Sequence, residues 1–364
     1  MFYFFEYIII IGSCDMFFGD MIMIEILKFS PLTLTSIILT LAVVFVNGLT
    51  DAPNAISTVT VTRCMRLKYA LLMSAIFNFL GVAVMSAVNN SVTVTVANIV
   101  DFGSDTYSAS VALSAALFSI VFWAVLAWYF GIPTSESHAL IAGLSGSAIA
   151  INGGLSGING GEWIKAIKGL FTSCLFGFVV GFIICKLIII FFRNVKRKNA
   201  ESFFKYGQIF AAAGMSFMHG AQDGQKFIAV LMLCMSFSGN AQGERMTGNW
   251  KIILLCSVVM AFGTMCGGKK IIKSVGMDMV KLEKYQGFSA DLSASLSLFV
   301  STVLGFPVST THAKTTAMMG AGTAKNIKSL NPSVIKEIGL TWILTFPGCG
   351  VIGFVVTKIF LKIF

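Results

Sequence analysis

The chain has 364 residues, 56% of them hydrophobic and only 12% charged, with a formal net charge of +10. That composition excludes a water-soluble globular core, because runs of about 20 apolar residues are long enough to cross a bilayer's hydrocarbon layer as helix. The lysines and arginines sit in short loops beside those runs, where they set orientation; nucleic acid is not an expected partner.

Residues 1–30 fit no span: Phe2–Ile11 is too short, and Asp15 and Asp20 interrupt anything longer. No basic region precedes that stretch, which argues against a secretory signal peptide and leaves an interfacial or extra helix, or an N-terminal extension with Met21 or Met23 as the start. Beyond it the apolar pattern predicts ten crossings, near 32–61, 69–88, 108–130, 133–151, 168–192, 206–238, 250–268, 288–306, 307–325 and 337–361, two of them broken. They divide into a first repeat over 31–192, a basic cytoplasmic linker at 193–205 and a second repeat over 206–364.

Placing Arg63, Arg66 and Lys68 in the cytoplasm puts Asn89–Tyr107, which has no Lys or Arg, outside. The alternation then returns Arg193, Lys196, Arg197, Lys198 and Lys205 to the inside. It does the same for Lys269, Lys270, Lys273, Lys281 and Lys284, and for Lys325, Lys328 and Lys336. Lys358 and Lys362 fall outside, against the rule. Five crossings start from outside and five from inside, so the expected architecture is all-α and polytopic, an inverted repeat of ten to twelve helices. In such folds two similar halves expose one central site to either side in turn. The eight cysteines are scattered singly, without paired spacing, and read as small apolar packing residues.

Two motifs recur in order. Asn47–Asp51 corresponds to His219–Asp223, with the aspartates 172 positions apart, and Gly131–Ala139 corresponds to Gly305–Ala313 at an offset of 174. Asp51, Glu136 and Asp223 are the acidic residues read as lying well inside spans, each within a repeated motif. A centrally placed Asp costs about 2.5–3.5 kcal/mol on insertion scales, so function is the default reading unless a fixed partner such as Lys226, one turn from Asp223, explains it.

Gly48 and Pro53 disfavour regular helix around Asp51 and free backbone carbonyls. With the amide oxygens of Asn47 and Asn54 beside the Asp51 carboxylate, this is an oxygen cage suited to a hard monovalent cation. Gly220, Gln222, Asp223, Gly224 and Gln225 supply related chemistry in the second half. Sodium and a proton fit this pattern equally.

Pro133 and Pro307 each follow a Gly-x pair and precede hydroxyls: Thr134, Ser135 and Ser137, then Ser309, Thr310 and Thr311. These read as helix starts in mid-membrane, with free N–H groups and partial positive charge that favour an anion. Two facing starts suit a tetrahedral oxyanion. All three histidines, His138, His219 and His312, belong to the motifs; with no Cys or carboxylate read at metal-ligand spacing, supporting structural roles are favoured over a metal site. Lys226 and Lys314 have Asn54 and Leu140 as counterparts, and either neutralise the anion or pair locally.

Assembled, these residues resemble the inorganic phosphate transporter family from about Leu32 onward. Its twice-repeated Gly-x-Asn-Asp signature is similar to Gly48–Asp51 and Gly220–Asp223, and its Pro-x-Ser-Thr-Thr-His signature is matched fully by Pro307–His312. The resemblance implies a helical inverted-repeat fold with hairpin-like elements in the cell membrane, commonly dimeric, importing phosphate with sodium or protons and carrying no cofactor. It implies Asp51, Asp223 and Asn47, with Thr50, Asn54 and Gln222 beside them, for the cation. Ser135, Ser137, Ser309, Thr310 and Thr311 would line the phosphate. The sequence departs where Thr50 and Gln222 replace Asn and where Ser135-Glu136-Ser137 replaces Ser-Thr-Thr.

Moving one negative charge inward against 100 mV costs about 2.3 kcal/mol, which two monovalent cations would offset for a dianion. Cation-coupled phosphate symport is therefore the expected function, with a sulfate permease and a passive anion channel as alternatives. An intramembrane hydrolase is disfavoured because every candidate nucleophile and base is duplicated, whereas catalysis needs unlike roles.

Overall fold

The protein is described by a computed structural model over residues 30–130, 134–237, 250–267, 272, 279–280, 282–326 and 330–364. The N-terminal extension, the turn residues Gly131 and Pro133, and Lys269, Lys270, Lys273, Lys281 and Lys328 lie outside the described residues.

The helices of the first half are α1 (Pro31–Thr50), α2 (Ala52–Val61), α3 (Leu67–Val88), α4 (Ser91–Ala97), α5 (Thr106–Phe130), α6 (Glu136–Asn152) and α7 (Gly160–Phe191). Those of the second half are α8 (Arg197–Ser236), α9 (Trp250–Cys266), α10 (Lys284–Val303), α11 (Thr310–Thr323) and α12 (Pro332–Ile363). Local chemistry sets several starts. Ser30 accepts from the Thr33 N–H at 3.2 Å ahead of Pro31, and Asn159 and Asn331 cap α7 and α12 the same way.

Among the described residues five stretches, counting α1 and α2 as one of 31 residues, are long and apolar enough to cross a membrane. The protein is a multi-pass membrane protein. Large apolar side chains such as Phe171, Leu175 and Ile190 on α7, and Ile343, Leu344 and Val351 on α12, are exposed and form a surface suited to lipid.

Contacts between helices come in exchanged pairs. α1 packs on α9 as α8 packs on α3, α6 on α12 as α11 on α7, and α5 on α12 as α10 on α7. The exchange holds for single residues. A Cβ added at Gly48 would strike the Met260 carbonyl, and one at its counterpart Gly220 would strike the Asn78 carbonyl; Gly146 meets Gly350 as Gly320 meets Phe178. Small residues let backbones approach closely where helices associate without a hydrophobic drive between them.

The relative sense of the halves follows from these contacts. α7 reverses direction after α6, and α11 runs alongside α7 in the same sense, Gly177 meeting Ala313 and Gly181 meeting Ala317. α6 and α11 therefore lead away from the centre in opposite directions.

Several expectations are corrected. The windows 133–151 and 307–325 are not full crossings: α6 has 17 residues and α11 has 14, so at about 1.5 Å per residue neither spans some 30 Å of hydrocarbon. Each forms a hairpin with the helix before it. The window 206–238 is not broken at its Asp motif, because α8 runs unbroken for 40 residues. Gly220 and Gly224 alone do not break a helix; the first half has Pro53, which has no N–H for the Leu49 carbonyl, and Asp51 separates α1 from α2. Residues 197–205 of the expected linker are the first turns of α8. The Asn89–Tyr107 loop contains α4, whose Val92 and Val96 are buried and whose Thr93 hydroxyl donates to the Gln225 carbonyl of α8 at 3.0 Å.

Candidate functional site

The two hairpin tips meet at the centre. Ser137 Oγ donates to the Val308 carbonyl at 3.3 Å, and the rings of His138 and His312 stand edge to face with centroids 4.3 Å apart. Each ring is also stacked from outside, His138 on Phe346 and His312 on Trp342, both from α12. The N-termini of α6 and α11 thus face one another, as expected for these motifs.

Both helix starts are capped by their own serines. Ser135 Oγ accepts from the His138 N–H at 3.3 Å and Ser309 Oγ from the His312 N–H at 3.2 Å. These hydroxyls shape the tips. The next hydroxyls reach the aspartate motifs: Thr311 Oγ1 donates to Asp51 Oδ1 at 2.9 Å, and Thr310 Oγ1 to Asp223 Oδ2 at 3.3 Å.

Asn47 joins the two carboxylates. Its Nδ2 lies 3.1 Å from Asp223 Oδ2 and 3.5 Å from Asp51 Oδ2, so the aspartates, 172 residues apart in the chain, share one amide. Thr50 Oγ1 donates to Glu136 Oε1 at 3.3 Å, and Gln222 Nε2 to the Phe306 carbonyl at 2.9 Å, so each residue preceding an Asp grips the hairpin of its own half. Asn54 Nδ2 donates to Thr311 Oγ1 at 3.1 Å. The side-chain oxygens Asn47 Oδ1, Asn54 Oδ1 and Gln222 Oε1 are buried and make no hydrogen bond. Oxygens in that state are free to coordinate a cation.

His219 stands closer to this chemistry than its spacing suggests. Its Nε2 is 3.3 Å from Asp223 Oδ2, and ligand atoms of Asp51, His219 and Asp223 all lie within 4.8 Å of one another. The reading that no carboxylate accompanies the histidines is corrected: His219 and Asp223 are four apart, on one face of α8. Asn78 Oδ1, 3.0 Å from His219 Nδ1, fixes the ring from α3. Asn78 belongs to neither repeated motif; its signal in the sequence is that of a buried amide in an apolar span.

The lysines pair locally. Lys226 Nζ contacts Asp223 Oδ1 at 2.6 Å, Ser137 Oγ at 2.5 Å and the Val308 carbonyl at 2.5 Å. Lys314 pairs with Asp291 and also reaches Thr58 Oγ1 at 3.1 Å and the Ala55 carbonyl at 3.3 Å. Asp291 extends the set of membrane-embedded acids beyond the three expected. The hydropathy window puts it near the start of a span at residue 288, but α10 begins at Lys284 and carries Asp291 two turns inward, fully buried. Thr58 donates to both of its oxygens, at 2.7 and 2.8 Å. This cluster ties α2, α10 and α11 together beside the hairpin tip.

Residues 47–353 match the Phosphate transporter family, most of the chain and all four motifs. The chain belongs to that family. It is 33% identical over 322 residues to a "Probable low-affinity inorganic phosphate transporter" of Bacillus subtilis, covering 88% of this chain and 95% of that one. A protein of the same description from Rhizobium meliloti is 32% identical, with 88% and 94% covered. Among solved structures, one described as "The sodium-dependent phosphate transporter" superposes with a TM-score of 0.82 at 21% identity, covering 92% of this chain and 100% of that one. That likeness shows the shared all-helical fold. The family is one of transporters, not enzymes.

Proposed function

We propose that the chain imports inorganic phosphate across the cell membrane together with a monovalent cation, sodium in the first instance, by alternating access of two inverted repeats over 31–192 and 206–364. The carrying observation is the convergence at one buried centre of Asp51 and Asp223, one from each half, with the facing starts of α6 and α11. Carboxylates with uncommitted amide oxygens suit a hard cation, and paired helix N-termini suit an oxyanion. The descriptions of the bacterial relatives support phosphate, and the sodium dependence named for the structural neighbour supports sodium.

Asp51, Asp223 and Asn47, aided by Asn54, Thr50 and Gln222, take the cation role. The hydroxyls of Ser137, Thr310 and Thr311 face the anion once the tips part, while Ser135 and Ser309 hold their shape. The two-fold exchange of helix contacts supports the mechanism, since the halves can trade conformations about a shared centre. The functional unit is a homodimer in this reading.

Phosphate near neutral pH keeps a hydroxyl that can donate to a carboxylate, which sulfate lacks, so an acidic centre supports phosphate over sulfate. Sulfate in excess should leave labelled phosphate uptake unchanged. The decisive test is Asp51→Asn in proteoliposomes, expected to abolish sodium-gradient-driven phosphate uptake; normal uptake by that variant would overturn the cation assignment. A wild-type flux indifferent to sodium and proton gradients would indicate a passive channel instead.

A further inference from the structure

The two halves are alike in sequence and contact but differ in charge at one pair of matched positions in the central site. Asn54 and Lys226 occupy corresponding positions, three residues after Asp51 and Asp223. Both reach the corresponding hydroxyl of the opposite hairpin: Asn54 Nδ2 meets Thr311 Oγ1 at 3.1 Å, and Lys226 Nζ meets Ser137 Oγ at 2.5 Å. In the first half the amide leaves its oxygen, Asn54 Oδ1, buried and without a hydrogen bond. In the second half an ammonium stands there.

The surroundings of that ammonium are those of a cation site. Its three partners are a carboxylate oxygen of Asp223, a hydroxyl and the backbone carbonyl of Val308, at 2.5–2.6 Å. Oxygen shells of this kind hold hard cations at about 2.3–2.6 Å. The residue is itself buried, so its charge acts in a poorly screened interior.

We propose that Lys226 is a tethered substitute for one coupling cation, so that the second half's site is permanently filled and a single mobile cation, at Asp51, accompanies each phosphate. The inference rests on the cation-coupled reading above and sharpens its stoichiometry. Charge supports it. Lys226 offsets Asp223, whereas among the described residues no lysine or arginine pairs with Asp51, which is held by neutral donors, the Thr311 hydroxyl and the Asn47 amide. Glu136 gives Asp51 a further neutral donor, its backbone N–H, while its side chain accepts from Thr50; it lies in the first turn of α6, where the helix start offers partial positive charge.

The experiment compares the full-length wild type with Lys226→Asn, which gives the second half the residue of the first. In proteoliposomes with equal pH on both sides and the membrane potential held at zero, a tenfold sodium gradient is imposed. The phosphate ratio at which net flux stops is then measured. One mobile sodium balances about a tenfold phosphate ratio and two balance about a hundredfold. The expected ratios are about tenfold for the wild type and about hundredfold for Lys226→Asn. A hundredfold ratio for the wild type overturns the proposal while leaving sodium coupling intact. Equal ratios for the two proteins overturn it too, as does a raised KM for phosphate with no change in ratio, the mark of a lysine that serves the anion.

If Lys226→Asn does not move phosphate, equilibrium binding of radioactive sodium to the purified proteins is counted, with one ion expected in the wild type and two in the variant. Equal counts again sink the idea. If the variant does not fold, the wild-type ratio alone decides. A wild-type flux that balances without reference to sodium defeats the cation reading and this inference together.

Discussion

Thr311 of α11 donates to Asp51 Oδ1 at 2.9 Å while its oxygen accepts from Asn54 Nδ2 at 3.1 Å. One hydroxyl of the second half thereby closes over the Asp motif of the first, and Thr310 makes the corresponding link to Asp223 within its own half. The hairpin tip and the aspartates are one hydrogen-bonded unit, so a tip that moves to admit an anion changes the bonds of the carboxylates. In the proposed symport, that unit is the link between cation and anion.

Replacing Thr311 with Val keeps the shape and removes the hydroxyl from Asp51 and Asn54. Loss of a hydrogen bond to a charged group costs about 1.5–3 kcal/mol, so the sodium concentration for half-maximal phosphate uptake should rise roughly tenfold or more. Uptake measured against sodium concentration checks this, and an unchanged midpoint would separate the tip from the cation site.

The Lys314–Asp291 pair should be structural. Lys314→Met leaves a fully buried carboxylate with only the Thr58 hydroxyl as a side-chain donor, and breaking a buried pair in this way costs about 3–5 kcal/mol. Adding Asp291→Leu removes the orphaned charge and should restore most of the loss. Thermal unfolding of the detergent-purified variants measures both, and a double variant as unstable as the single one contradicts the assignment.

The exchanged glycine contacts predict a matched pair of defects. Gly48→Val and Gly220→Val each drive a branched side chain into the backbone of a neighbouring helix, α9 in one case and α3 in the other. Both should lower the unfolding temperature by several degrees through overpacking of about 1–3 kcal/mol. Tolerance of one and not the other would show that the two interfaces are not equivalent.

Pro53→Ala supplies the N–H that the Leu49 carbonyl needs and relaxes the ring's clash with that carbonyl. The variant should be more heat-stable than the wild type and bind sodium more weakly, because a carbonyl beside Asp51 is drawn into the helix. Unfolding temperature and the sodium midpoint, taken together, test this; stabilisation with sodium affinity intact would mean the freed carbonyl is not a ligand.

Much of the architecture is readable along the chain. The offsets that relate Asp51 to Asp223 and His138 to His312 are a property of the sequence, and the helix starts at Ser135 and Ser309 follow from Pro, Ser and Thr chemistry. Hydropathy windows misjudge α6 and α11 because they count apolar length and cannot see that a hairpin enters the bilayer only part of the way. α8 stays unbroken where α1 and α2 part, because the second Asp motif lacks the proline that makes the break. Asp291 escapes such a window because its edges blur helix boundaries by several residues, enough to confuse a solvated acid with a buried one.

The sequence by itself determined a polytopic helical chain with two related halves and residue types suited to a cation and an oxyanion, since insertion energy and motif repetition are local or additive along the chain. Only the tertiary structure decided which of those residues meet. Asn47 reaches both aspartates, Ser135 and Ser309 cap their helices, and Lys226 lies among three oxygens of which one comes from α6 and one from the turn before α11. Such partnerships depend on how helices distant in sequence cross and rotate, which close packing at small residues fixes and linear spacing does not encode.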